Sequence, residues 1–219
     1  MRAGCEFRPR KRSSRAKSAD ALSLGRIADT IFQRAVDASR RPTGTSTGAK
    51  CASQAFSALS KLGVRVLRTQ VPVQLGKLGT RLDGLGVSTV NGREVIVVIE
   101  LKTTSGDPHD LDSYTSVCRF RPVLERVGLS NNEQIVHDLQ AEFGRSALQN
   151  TYPSTMRYPV YSAVVRVSAT TGTARFVSRF RCRDGSSLES VFKTTSVPVS
   201  LSLIHIRRCR RRLRCRSRW

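Results

Sequence analysis

Residues 80–102 read TRLDGLGVSTVNGREVIVVIELK, and the dipeptide near their middle decides the fold. Asn91-Gly92 stands between two runs rich in β-branched residues. Both residues tolerate the positive φ that a two-residue turn demands, so the stretch predicts a β-hairpin with strands over 80–90 and 93–102. Val95-Ile96-Val97-Val98-Ile99 is apolar at every position, which predicts a strand covered on both faces and central in its sheet. A two-residue loop pairs Val90 with Arg93, and counting outward from that pair sets Asp83 directly opposite Glu100. Gly84 and Gly86 permit a bulge that would shift this register by one.

The flanking segments supply the remaining elements. Leu24, Ile27, Ile31, Ala35 and Ala38 recur at steps of three and four, predicting an amphipathic helix over 20–40 with Asp20 as its N-cap. Pro42–Gly48 reads as a loop, and a second helix is expected over 49–62, ended by Gly63. Val64, Val66, Thr69, Val71 and Val73 suggest a strand reaching towards Pro72. A third helix is expected over 131–149 with Ile135, Leu139, Phe143 and Ala147 inward. Residues 159–167 and 173–181 look like a closing hairpin through Thr170-Thr171-Gly172. The order is helix, helix, three strands, helix, two strands: an α/β domain over 20–200 with a mixed central sheet flanked by helices. At 219 residues the chain suits one domain with a substantial core. No run approaches the length of about eighteen apolar residues that a membrane span requires, so no membrane partner is expected.

The two ends differ from this middle. Residues 1–19 hold Arg2, Arg8, Arg10, Lys11, Arg12, Arg15 and Lys17 against the single acid Glu6 and read as a disordered basic arm. Arg8-Pro9-Arg10-Lys11-Arg12 fits a nuclear-import signal, a phosphate-binding arm, an organelle transit segment or a solvated tail. Residues 201–219, LSLIHIRRCRRRLRCRSRW, resemble a translated sequencing adapter read through from a truncated frame and are set apart from fold reasoning, the competing reading being a genuine arginine-rich tail. Without the tail's eight arginines, 30 basic residues face 16 acidic ones, a net charge of +14. A polyanionic partner is the natural expectation, the alternative being a GC-rich genome that favours Arg codons. Cys5, Cys51, Cys118 and Cys182 are widely spaced without a CxxC pair, which fits a reducing, intracellular compartment, the nucleus in a eukaryotic or viral setting.

The chemistry gathers at the hairpin. Facing residues share one side of a sheet, and Lys102, two residues beyond Glu100, shares it too. Two carboxylates at close range repel unless a hard cation joins them, and Mg²⁺ or Mn²⁺ takes oxygen ligands of this kind. Lys102 would stand beside the attacked phosphate. The plain alternative makes Asp83 part of a turn with Gly84 and Lys102 a partner of Glu100 on a solvated face. On the third helix Glu133, His137, Gln140 and Gly144 form one polar stripe, for which helix-surface or core-satisfied roles compete with function. Asp107, His109, Asp110, Asp112 and Tyr114 mark a polar loop beyond the strand.

Leu82-Asp83-Gly84 followed at a distance by Glu100-Leu101-Lys102, after Val97-Val98-Ile99, resembles the PD-(D/E)XK nuclease superfamily, and the predicted element order is similar to its αβββαβ restriction-endonuclease-like core. The resemblance implies a Mg²⁺- or Mn²⁺-dependent deoxyribonuclease. Asp83 and Glu100 would hold the metal, the Leu101 carbonyl would be a further ligand, and Lys102 would be catalytic. Gly25-Arg26-Ile27-Ala28-Asp29 resembles the Gly-x-x-x-His of the branch containing lambda exonuclease and RecB, with aspartate in place of histidine, so Asp29 is a candidate ligand. His137-Asp138-Leu139-Gln140 looks like that branch's glutamine-bearing helix and points to Gln140; Gln149 with Tyr152 is similar to a Gln-x-x-x-Tyr element but one residue short. These features favour an exonuclease over an endonuclease or junction resolvase, in a recombination or repair setting of viral or mobile-element type. A catalytically silent DNA-binding module is the alternative from another class. Arg68, Lys77, Arg81 and Arg145 are the side chains expected to grip phosphates.

Overall fold

The computed structural model describes residues 13–104, 107–108, 128, 133–178 and 180. It contains helices α1 (Ser13–Asp37) and α2 (Thr47–Lys61), strands β1 (Arg65–Leu75), β2 (Leu78–Val90) and β3 (Arg93–Thr103), helix α3 (Glu133–Thr151), a 3-10 turn at Pro153–Arg157, and strands β4 (Val160–Val167) and β5 (Gly172–Phe176). The strands form one sheet in the order β1-β2-β3-β4-β5. β3 and β4 run parallel, and the other neighbours are antiparallel. The fold is α/β, a five-stranded mixed sheet with helices on both faces.

The central hairpin forms as the sequence predicts. Asn91 and Gly92 take φ of 51° and 75°, as a type I′ turn requires, and Val90 pairs with Arg93. β3 is the middle strand because it is apolar on both sides. Val95, Val97 and Ile99 are buried beneath α1 and α2 with Phe32, Ala52, Ala55 and Leu59, whereas Val98 is buried beneath α3. The shift allowed by Gly84 and Gly86 does not occur between β2 and β3; the one irregularity of register lies in β1, between Val66 and Arg68.

Several boundaries depart from the sequence reading. α1 begins at Ser13, so residues 13–19 of the expected basic arm are helical and Asp20 lies inside the helix instead of capping it. The run Arg15-Ala16-Lys17-Ser18-Ala19 contains neither Gly nor Pro, and its good helix formers let the helix extend. α2 is capped by Ser46, whose hydroxyl accepts from the Ala49 N–H at 3.2 Å. β1 passes through Pro72 to Leu75, which an edge strand tolerates. β5 ends at Phe176, short of the expected 181. Residues 1–12, the 201–219 tail and most of the polar loop after Thr103 lie outside the described residues.

One feature of the sheet prepares the site. The β2–β3 ladder runs from Val90↔Arg93 to Gly84↔Ile99 and stops there. Both strands continue, β2 paired with β1 as far as Leu75↔Leu78, and β3 paired with β4 as far as Thr103↔Val167. The sheet therefore forks. Val73, Leu75 and Leu82 on the β1–β2 arm are buried with Leu139, Phe143, Ala147 and Leu148 of α3, and this burial draws the arm over the helix and away from β3. The Gln74 N–H donates to Thr151 Oγ1 at 2.7 Å, and the Tyr152 hydroxyl donates to the Pro72 carbonyl at 3.2 Å, fastening arm to helix. Phe143, with no exposed surface, is the largest side chain in this contact. Truncation Phe143→Ala is expected to cost about 3–5 kcal/mol in urea denaturation. A loss below about 1 kcal/mol would show that the arm is held by something else.

Candidate active site

Asp83 occupies the crotch of the fork. A strand that loses its neighbour leaves backbone donors without partners, and Asp83 supplies one: its Oδ2 accepts from the Leu101 N–H at 2.9 Å. Counting along the hairpin had set Asp83 opposite Glu100 as a ladder pair. The ladder ends one residue earlier, at Gly84↔Ile99, because the arm has already turned towards α3. The two acids are neighbours nonetheless. In an extended strand the N–H and C=O of a residue project from the same edge, so the Leu101 carbonyl also faces the fork.

β2 turns over at this point. Leu82 packs towards α3, whereas a Cβ built on Gly84 would meet Ile99, on the opposite face of the sheet. Residues two apart in a regular strand share a face, so the pivot lies at Asp83. By continuation of the β1–β2 register, Gln70 stands opposite it, with φ of 54°. A non-glycine side chain in this region is strained. Gln70 Nε2 donates to both carboxylate oxygens of Asp29, each at 3.3 Å. Asp29 thus reaches the fork from α1, and Gln70, which the sequence reading did not single out, holds it there.

Glu100 and Lys102 follow Val98 on the face of β3 that looks towards α3. Lys102 Nζ lies 2.5 Å from Glu100 Oε1, and both side chains are mostly buried. The pairing foreseen in the plain alternative is present, though not on a solvated face. α3 approaches closely here because residue 144 is glycine: a Cβ at Gly144 would lie 2.9 Å from Leu82 Cδ2 and 3.2 Å from Val98 Cγ1. One and two turns back on the same stripe are Gln140 and His137. The Oε1 of Gln140 is buried and accepts no hydrogen bond among the described residues.

The electrostatics tie these groups together. Burial first, and then the charge of Glu100, push the Asp83 carboxyl well above its ordinary pKa; Asp29 adds to the rise, and Lys102 and the Leu101 N–H oppose it. His137 moves the other way. Burial, followed by the positive charges of Lys102, Arg166 and Arg175, lowers its pKa to about 2, so the imidazole is neutral.

Of the expected phosphate-gripping residues, Lys77 and Arg81 are exposed on the β1–β2 arm and Arg68 is exposed on β1 before the fork, opposite Leu85, with Lys77 in the turn at the arm's tip, about 20 Å along the strand from Asp83 at about 3.3 Å per residue. Arg145 is held within the fold. Its guanidinium is bound through Nε and Nη2 to Glu142 and through Nη1 to Gln149, while Glu142 also accepts from the Ser162 hydroxyl at 2.6 Å. Arg145 therefore neutralises a buried acid of the fold. Gln149 and Tyr152 are likewise engaged within the fold, by Arg145 and Pro72. The sequence reading passed over Arg166 and Arg175, although a buried arginine inside VYSAVVRV is legible as an anomaly.

Asp29, Asp83, Glu100 and Lys102 thus assemble around the Leu101 backbone, with His137 and Gln140 on the covering helix. Among the described residues no three His, Cys, Asp or Glu side chains stand as a finished ligand set; Glu100 is turned to Lys102, Asp83 to the Leu101 N–H and Asp29 to Gln70. Comparison with protein-family models, with curated proteins and with solved structures gives no match for the chain.

Asp83→Asn keeps an oxygen for the Leu101 N–H and removes the repelled charge. The folded pKa of Asp83 is raised, so its contribution to stability is fullest below the ordinary carboxylate value and is lost as pH climbs through the folded value. In EDTA at pH 7 the variant is expected to be more stable than wild type by about 0.5–2 kcal/mol, the margin shrinking towards pH 4, in chemical denaturation at both pH values. A variant weaker than wild type at pH 7 would mean that the Leu101 hydrogen bond outweighs the repulsion.

Proposed function

We propose that the chain is a metal-dependent deoxyribonuclease that hydrolyses phosphodiester bonds, acting from DNA ends. The observation that carries this reading is the buried Asp83 carboxylate, repelled by Glu100 and Asp29 within one fork of the sheet. Hard oxygen donors that repel one another fit a divalent cation such as Mg²⁺ or Mn²⁺, and Asp83, Glu100, the Leu101 carbonyl and Asp29 would hold it. When bound, such an ion supplies Lewis-acid activation of water and of the phosphate.

The side chains of the chain do the rest. Lys102, paired with Glu100, is the ammonium that stabilises charge gathering on the attacked phosphate. Gln140, with a buried amide oxygen left to accept, positions a hydroxyl or water beside it. The exonuclease preference rests on Asp29 and Gln140, the features in which the chain resembles the exonuclease-like branch. DNA as substrate is supported by the basic charge and by exposed Arg68 and Arg81 within two residues of Gln70 and Asp83. A second reading, a binding module without catalysis, is favoured by the internal bonds of Glu100 to Lys102 and Asp29 to Gln70.

The test combines substrate geometry, metal and mutation. Linear DNA with Mg²⁺ is expected to be degraded, closed circular DNA to be spared, and EDTA to stop the reaction. Asp83→Asn and Lys102→Ala are each expected to lower the rate by about 10²-fold or more while DNA binding persists in a gel-shift assay. DNA binding by wild type without any metal-dependent cleavage would establish the binding module instead, and cleavage of closed circles would overturn the end requirement.

A further inference from the structure

We infer that Gln70 is a positioning residue of the fork: its amide holds the Asp29 carboxylate beside Asp83, so that the acids of α1 and β2 receive a divalent cation together. This rests on the proposed function for the cation and for Asp29 as one of its ligands; the role of Gln70 is additional to it.

β1 turns over where β2 does. Thr69 pairs with Gly84, on the side of the sheet where Ile99 is buried, whereas Val71 pairs with Leu82, on the side of α3. Gln70 lies between them, opposite Asp83, and its φ of 54° makes the turn. Such a turn asks only for a left-handed backbone, which glycine adopts without strain and other residues adopt rarely. Glycine would therefore suffice for the shape of β1, and a glutamine at this position is explained by its side chain. Strained residues of this kind persist where the surrounding structure overdetermines them, and they cluster at functional sites.

That side chain reaches across to α1. Gln70 Nε2 donates to Oδ1 and to Oδ2 of Asp29, each at 3.3 Å. The helix itself is held independently, because Ala28 and Phe32 are fully buried in the cluster that contains Val97 and Ile99. The bond therefore orients the carboxylate and is not needed to seat the helix. A neutral amide does this without cancelling the charge of Asp29, as an arginine or lysine there would. Carboxylates that bind metals are themselves oriented by hydrogen bonds, and loss of such a partner weakens metal affinity by about 10–100-fold. The charge of Asp29 is felt at Asp83, where it opposes ionisation, and a shared cation relieves that repulsion.

The experiment uses the full chain without DNA and reads Mn²⁺ affinity from the loss of the free-ion signal in electron paramagnetic resonance. Gln70→Gly keeps the left-handed backbone and removes the amide. It is expected to weaken Mn²⁺ binding about tenfold or more. Its melting temperature in EDTA is expected to stay within about 3 °C of wild type, since relief of strain offsets the lost bond. Asp29→Ala is expected to weaken binding at least as much, and adding Gln70→Gly to it to change affinity by less than about twofold, as for a residue that acts through Asp29. Should Gln70→Gly fail to fold, Gln70→Asn takes its place in the cycle, because asparagine tolerates the same backbone and is one methylene shorter. Wild-type affinity in the Gln70 variant, wild-type affinity in Asp29→Ala, or a full further loss in the double variant overturns the positioning role and leaves the proposed function standing. A wild type that takes up no Mn²⁺ overturns the proposed function, and this inference with it.

Discussion

The hydrogen bond from the Leu101 N–H to the Asp83 carboxylate joins the architecture of this protein to its chemistry. Where β2 leaves β3, an edge is exposed inside the domain, and its donor must be answered. A backbone carbonyl from β2 would have answered it without charge. A carboxylate answers it by bringing a negative oxygen into a buried place beside Glu100 and Asp29, which raises the free energy of the ionised state. The fork and the strained carboxylate are thus one feature. The arm can diverge only because Val73, Leu75 and Leu82 find α3, so the hydrophobic contact ultimately keeps Asp83 where it is.

Acids and bases meet at the fork. Asp29 reaches it from α1 and Asp83 from β2, Glu100 and Lys102 share the face of β3 that looks towards α3, and Arg166 and Arg175 stand beyond them on β4 and β5. The ion pair between Glu100 and Lys102 links the carboxylates to the basic strands. A protonated His137 would add a further positive charge beside Lys102, Arg166 and Arg175, and the ring is neutral there.

Much of this was legible in the sequence, and the remainder was hidden for identifiable reasons. Asn91-Gly92 and the apolar run at 95–99 carry local rules, and they determined the hairpin, the central strand and the neighbourhood of Asp83 and Glu100. The counting that brought those two acids together assumed a ladder continuing one row further than it does. Nothing in Val73, Leu75 or Leu82 tells whether such side chains remain beside β3 or turn onto α3, because the alternation is the same for either partner. Gln70 was invisible because a left-handed φ at a glutamine leaves no compositional mark. Arg145 is a different case: Glu142 three residues earlier is readable helix spacing for an ion pair, and the pair is present.

Helix α3 couples stability to the site more directly than any other element. Its Leu139, Phe143, Ala147 and Leu148 anchor the diverging arm, and its Gln140 and His137 cover Glu100 and Lys102. The two sets share the same stretch of helix, about three turns, so the helix cannot shift for one without shifting for the other. Gly144 sets the spacing, since any larger residue would press on Leu82 and Val98 at 2.9 and 3.2 Å. Closely packed interiors transmit displacements of a few tenths of an ångström instead of absorbing them. A glycine in mid-helix is unfavourable by about 1 kcal/mol relative to alanine, and here the close approach offsets that cost by seating Phe143 under the arm and Gln140 over the fork together.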